Sequence, residues 1–414
     1  MRSKYFRYLF QRLAGGGLLC LAAVACGTAQ PAQSDPAMTR SETALPLVFI
    51  PGLNGSLLED SQGRQRWVSA AQGLALSTPD LSLPLQWVNG TQAADDLRPA
   101  GVIMDVSLIS GVIGQDFYAP WVDFAREIPH RPLHIFSYDW RRDNNESSAK
   151  FEAFLDEISK RYGGKKVQVV SHSMGGMIAL TALNRRPELF DRVVFAGVPF
   201  RGGIGYLDNM HLGIQIGLNG ELLSPEVLFS HPSVYSFYPS GLPFENTDVL
   251  RDETGGPIRL DFYDAEVWRA NGFGVFAPAS AEWRGDAGER LNFLKAALRV
   301  AKIFRAAMEP RHSAAKYPPV LVVGSKSHKT IHHIQRKAAR ATDDGGESGP
   351  GESVWEFDAT PREAGDGGVL FRDMVPPEPI QHTVALSEFE HAYLLNDPTM
   401  QERVARFLQE SSAK

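Results

Sequence analysis

From residue 46 onward the apolar positions of the chain fall into two alternating rhythms. Leu47-Val48-Phe49-Ile50 is an unbroken apolar run ended by Pro51-Gly52. That pattern suits a strand buried on both faces whose carboxyl end opens into a turn. The same grammar predicts strands over Pro132–Tyr138, Lys166–Val170 and Arg192–Gly197. Between the second and third of these strands, Phe151, Phe154, Leu155, Ile158 and Tyr162 recur at helical spacing, which predicts a helix over Asn144–Tyr162 stopped by Gly163-Gly164. A further helix is expected over Ser171–Arg185. This strand–helix alternation specifies a mostly parallel sheet covered by helices on both faces, with functional groups at the carboxyl ends of the strands.

After Pro199 the rhythm loosens. Residues 200–315 hold aromatic residues, glycines and prolines with one clear helix, Ala287–Met308, whose apolar face would include Leu291, Leu294, Leu298, Ile303 and Phe304. The stretch reads as a large insertion. Buried-strand patterning resumes at Pro318–Gly324, with further candidates at Val354–Phe357 and His382–Leu386, so the sheet is expected to continue beyond the insertion. Asp343–Ser353 is acidic and glycine-rich, as expected of a surface loop.

The first residues follow a different pattern. Arg2, Lys4, Arg7 and Arg12 precede an apolar run from Leu13 to Ala25. That run is shorter than a membrane span of about 20 residues and has the form of a signal-peptide core, so residues 1–26 are read as a signal peptide and the protein as exported, periplasmic or anchored to the cell envelope. Ala23-Val24-Ala25-Cys26 supports two readings. One is lipoprotein processing with a lipid anchor on Cys26; the other is plain cleavage after an Ala-x-Ala-like pattern. Residues 27–45 are polar and short-side-chained with Pro31 and Pro36, a flexible tether, which leaves 46–414 as the folded domain.

Composition narrows the chemistry. With 43% apolar and 22% charged residues in 414, the chain can form a globular core, and a net charge of −6 disfavours nucleic acid as a partner. The two cysteines, Cys20 and Cys26, both fall within the amino-terminal segment, so disulfide frameworks, cysteine-rich zinc sites and a cysteine nucleophile are excluded downstream. No cofactor is implied. His332 and His333 lack metal-ligand spacing, because neighbours on a helix point apart.

The candidate nucleophile is Ser173. Ser171-His172-Ser173-Met174-Gly175-Gly176 follows a strand and opens a helix, the context that a sharp nucleophile turn requires. Small residues two before and two after relieve crowding there, and Ser171, standing where glycine is usual, is still small. The competing reading is a serine that merely caps the helix. A serine hydroxyl needs a base and a carboxylate that fixes the base's tautomer, and in this arrangement they follow in the order acid, then histidine. His391, just beyond the last candidate strand, is best placed as base, with His382 as competitor. Asp366, in the turn Gly365-Asp366-Gly367-Gly368 that is expected to follow the Val354–Phe357 strand, is the candidate carboxylate, with Asp358 and Asp373 as alternatives. The backbone N–H groups of Met174, after the nucleophile, and Leu53, after the first strand, are the candidate oxyanion hole.

These residues resemble the lecithin:cholesterol acyltransferase family, which includes lysosomal phospholipase A2 and the phospholipid:diacylglycerol acyltransferases. The resemblance rests on Val48-Phe49-Ile50-Pro51-Gly52-Leu53-Asn54-Gly55-Ser56-Leu57-Leu58-Glu59, Ser137-Tyr138-Asp139-Trp140-Arg141, the serine block, and Gly197-Val198-Pro199-Phe200-Arg201-Gly202-Gly203. It extends more weakly through Tyr238-Pro239-Ser240, Gly365-Asp366-Gly367 and Glu390-His391. It implies an α/β-hydrolase fold with a cap and lid in the insertion. It also implies a Ser173–Asp366–His391 triad, with Leu53 and Met174 at the oxyanion hole, acting on glycerophospholipid or acylglycerol esters through an acyl-enzyme at a membrane surface. Tyr138 to Arg141 read as structural. The disulfides of animal members cannot form here, and Trp67 lies in a region comparable to their lid. A simple carboxylesterase or triacylglycerol lipase, and a non-catalytic lipid-binding envelope protein, are the competing functions.

Overall fold

A computed structural model describes residues 45–109, 113–241, 249–277, 280, 282–338, 353–356 and 362–410. The expected signal peptide with Cys20 and Cys26, nearly all of the expected tether, Asp358 and residues 343–352 lie outside the described residues.

The continuous apolar runs form one parallel sheet. Its strands are β1 (Leu47–Ile50), β2 (Leu133–Ile135), β3 (Val167–His172), β4 (Phe190–Ala196), β5 (Val320–Ser325) and β6 (Thr383–Ser387), in the spatial order β6-β5-β4-β3-β1-β2. Every pairing is parallel; Ile50 lies beside Ser171, His172 beside Ala196 and Ser325 beside Ser387. The strands are apolar throughout because both faces are covered. Val48 and Ile50 face one core with Val169, Val193 and Val322, while Leu47 and Phe49 face the other with Val170, Val194 and Leu321. α1 (Ala119–Arg126) and α5 (Pro398–Gln409) close one face through Trp121, Val122, Val404 and Phe407. α2 (Asn144–Arg161), α3 (Met174–Arg185) and α4 (Ala287–Ala307) belong to the other. Each fully buried Leu, Val or Phe contributes about 1.5–3 kcal/mol. Among the described residues no helix is long and apolar enough to cross a membrane.

The structure departs from the sequence expectations in four places. β3 continues through Ser171 to His172, and the helix begins only at Met174, because a turn at Ser173 intervenes. On α4 Leu294, Leu298 and Phe304 are buried and Leu291 is half-buried, but Ile303 is 51% exposed. Ile303 lies five residues past Leu298, outside the buried stripe. The segment Ser353–Glu356 is a strand, but it pairs with Ile334–Ala338 in a separate four-stranded sheet, so β5 is followed directly by β6 in the central one. His332 and His333 join the strand His328–Ile331 to that sheet. Their rings lie 4.8 Å apart, where a helix would have turned them away from each other.

Candidate active site

The carboxyl ends of β1, β3 and β6, with the turn after the short strand Arg362–Gly365, bring distant residues to one place. Ser173 stands between β3 and α3 at φ 51° and ψ −127°. A non-glycine residue there stores about 1–3 kcal/mol of strain and needs neighbours that hold it. Its amide donates to the Ala196 carbonyl (2.9 Å), and its own carbonyl accepts from the Gly176 amide (2.8 Å). The turn also needs space. A Cβ on Gly175 would overlap the Pro51 carbonyl oxygen and come within 2.8 Å of that of Ile50. Ser171 fits where glycine is usual because its Oγ turns aside and donates to the Val194 carbonyl (2.9 Å).

Asp366 is wholly buried. It follows the strand Arg362–Gly365, which pairs antiparallel with His328–Ile331, not the strand at 353–356. Its Oδ1 accepts from the amides of Gly368 (2.9 Å) and Val369 (2.7 Å), and its Oδ2 lies 2.7 Å from His391 Nδ1. The amide of His391 donates to the Asp366 carbonyl (2.8 Å). A carboxylate accepts, so Nδ1 carries the proton, and the bare Nε2 faces Ser173 Oγ at 2.9 Å. Burial alone would lower the His391 pKa, but the charge of Asp366 and its hydrogen bond override that and raise it above the ordinary histidine value. Gly197, at φ 59°, leaves room for this pair; a Cβ there would sit 3.0 Å from His391 Nδ1 and 3.1 Å from Asp366 Oδ2.

His382 and Asp373, the competitors among the described residues, are not part of the Ser173–His391–Asp366 series. His382 precedes β6, with Nδ1 against the Ile380 carbonyl (3.0 Å). Asp373 is buried with Oδ1 unbonded, and desolvation pushes its carboxyl up to about 6. Leu53 follows Gly52 in a turn closed by the Gly55 amide on the Gly52 carbonyl (3.1 Å). This turn presses on the serine, since a Cβ on Gly52 would sit 2.9 Å from Ser173 Cβ. Met174 opens α3, where first-turn N–H groups have no intrahelical acceptor.

The Tyr138 to Arg141 block underpins the same turn. Tyr138 donates to the Pro51 carbonyl (3.0 Å) and Trp140 to that of Ser56 (3.1 Å). Wholly buried Arg141 is clamped by two carboxylates, its Nη1 lying 2.7 Å from Asp95 and its Nη2 2.8 Å from Asp139. Trp67 is buried, donates to the Asn54 carbonyl (2.9 Å) and packs edge-on against Trp140. Above Ser173 and His391 lies a cavity of about 1370 Å³, also bordered by Leu53, Trp67, Ile103 and Phe237. Its volume and largely apolar wall suit an acyl chain. Two residues at the site carry no recognisable signal in the sequence: His172, which reads as part of the serine block, and Tyr118, at the start of α1. His172 contacts Tyr118 (2.7 Å) and the His391 carbonyl (2.8 Å).

The lecithin:cholesterol acyltransferase family model matches residues 96–254, which hold Tyr138 to Arg141 and Ser173. Over those residues the chain is similar to the lecithin:cholesterol acyltransferase family. Of the curated proteins it resembles, phospholipase A(1) LCAT3 of Arabidopsis thaliana is 32% identical over 90 residues, 20% of each chain. An uncharacterized protein of Saccharomyces cerevisiae is 24% identical over 228 residues, 55% of this chain and 33% of that one. The chain spans a third or less of the length of these relatives. A chain in the crystal structure of the Tle4–Tli4 complex superposes with a TM-score of 0.57 at 16% identity, covering 89% of this chain and 99% of that one. The fold is that of the α/β-hydrolases.

Proposed function

We propose that this protein is a serine-dependent lipid O-acyltransferase or phospholipase that acts on glycerophospholipid or acylglycerol esters through an acyl-enzyme on Ser173. The observation that carries the reading is the hydrogen-bonded series Ser173 Oγ, His391 Nε2, His391 Nδ1 and Asp366 Oδ2 at the floor of an apolar cavity. His391 Nε2 takes the hydroxyl proton as Ser173 Oγ bonds to the ester carbonyl carbon. The oxyanion forms toward the amides of Leu53 and Met174, preorganised donors that need not reorient as charge develops. Collapse breaks the bond to the leaving alkoxide, which takes the proton from His391 and departs as the alcohol. Water or a second alcohol then gives its proton to His391 and attacks the acyl carbon; the bond to Ser173 Oγ breaks, Oγ takes that proton back from His391, and a fatty acid or a new ester is released. Which product dominates depends on how dry the cavity is and on whether an alcohol is seated there. The similarity to the lecithin:cholesterol acyltransferase family over residues 96–254 supports the lipid substrate. The arginine-rich start and short apolar run support action after export, at a lipid surface, with Cys26 as the candidate anchor.

The test is a product analysis on vesicles of mixed glycerophospholipids and diacylglycerol, with and without a sterol acceptor. Wild-type protein is expected to release fatty acid or form a new ester, and folded Ser173→Ala to do neither. Equal turnover by Ser173→Ala refutes the mechanism. Fatty acid alone in the presence of every acceptor assigns a hydrolase, and no turnover by wild-type protein favours a lipid-binding role.

A further inference from the structure

The loops that bear the reacting groups are tied together beneath Ser173 by one continuous series of hydrogen bonds. The Gly52 amide donates to the Tyr118 oxygen (3.1 Å), the Tyr118 hydroxyl meets His172 Nδ1 (2.7 Å), and His172 Nε2 meets the carbonyl of His391 (2.8 Å). The chemistry of the ends fixes the direction of each bond. A carbonyl only accepts, so Nε2 of His172 carries its proton. His172 is neutral, because burial pushes its pKa down to about 3 with the neighbouring His391 adding to the effect, so Nδ1 accepts and the Tyr118 hydroxyl donates. Tyr118 is itself fixed by an edge-on contact with Phe49 (5.1 Å between centroids) and by its place at the head of α1. At the far end the His391 amide holds the Asp366 carbonyl.

Relying on the reading of Ser173 as nucleophile, we infer that Tyr118 and His172 are positioning residues for the reaction. Together they set the separation between the oxyanion-binding turn at Gly52-Leu53 and the imidazole of His391, with the serine turn held between them. His172 is covalently next to Ser173, so the series spans the three loops that must be in register when the tetrahedral intermediate forms. There is little slack in it. The Gly52 backbone is already packed against Ser173 and His172, with a Cβ on Gly52 falling 3.0 Å from His172 Nδ1. Misplacement of a reacting group by about 1 Å costs on the order of 100-fold in rate, so loss of one bond in this series reaches the chemistry without removing any reacting atom.

Three substitutions separate the parts of the series. Tyr118→Phe deletes the hydroxyl and keeps the ring. His172→Gln keeps a donor where Nε2 reaches the His391 carbonyl but loses the acceptor for Tyr118, and His172→Asn does the reverse. A fluorophosphonate probe counts the competent Ser173 sites by its labelling endpoint, and kcat on a soluble short-chain nitrophenyl ester is then expressed per labelled site. This normalisation removes any unfolded fraction, so a merely structural role leaves kcat per site unchanged. Each variant is expected to lose about 10- to 100-fold in kcat per site with little change in KM. Combining Tyr118→Phe with His172→Gln is expected to cost no more than the worse single change, because both break the same bond. Wild-type kcat per site in Tyr118→Phe and in whichever His172 variant labels would overturn the inference alone. Turnover retained by Ser173→Ala would instead overturn the catalytic reading beneath it.

Discussion

Replacing Asp366 by Asn tests the site through one proton. Oδ1 of Asp366 accepts two amide N–H groups, from Gly368 and Val369, while Oδ2 faces His391 Nδ1 at 2.7 Å. The isosteric amide has one oxygen to place. If that oxygen stays with the two amides, the NH2 faces Nδ1, which must then accept, so the imidazole proton moves to Nε2. If the amide flips, its NH2 confronts two N–H groups and both of those hydrogen bonds are lost at about 1 kcal/mol each, with further cost from leaving buried donors unpaired. The first state is favoured, and in it Nε2 points a proton at Ser173 Oγ and cannot take one. The corresponding change in a serine protease lowers kcat about 10⁴-fold, and the same tautomer inversion here is expected to cost about 10³- to 10⁴-fold, roughly 4–5.5 kcal/mol of barrier. Shape and packing are kept, so the thermal unfolding midpoint should stay near that of wild type. The assay is kcat on a nitrophenyl ester beside a thermal melt. An Asp366→Asn protein that keeps more than about a tenth of wild-type kcat would refute the tautomer argument.

Two further expectations follow from the same geometry. Only neutral His391 can accept the serine proton, and its pKa is raised above 6.5, so fluorophosphonate labelling should increase with pH through a midpoint above that value; a midpoint below it contradicts the Asp366 coupling. Gly175→Ala drives a methyl into the carbonyls of Pro51 and Ile50, which are backbone and cannot swing away, so stability should fall by at least about 1–3 kcal/mol in denaturant unfolding; a change under about 0.5 kcal/mol counts against the close approach.

The serine turn was legible because its determinants are local. A buried strand, small flanking residues and a helix start lie within a few positions of Ser173, and each acts on its neighbours. The glycines around Asp366 marked a turn, yet the strand before it, Arg-Glu-Ala-Gly at 362–365, has no apolar alternation and forms only because His328–Ile331 lies alongside. The strand at 353–356 was legible as a strand but not as a member of another sheet, since apolar content reports burial and not partner. Ile303 looked like core by residue type and is exposed by its angle around α4.

Residue order alone settles which segments bury themselves, where the chain must turn, and which types of reactive side chain stand at the turns, because those effects act across a few bonds or one turn of helix. Only folding decides that His391 and not His382 reaches Ser173, 218 positions away. It alone brings Tyr118 and His172, separated by 54 positions, into one hydrogen-bonded series. A polar side chain carries no local mark of its partner; the partner is chosen by strand order and by the requirement that buried donors and acceptors be satisfied.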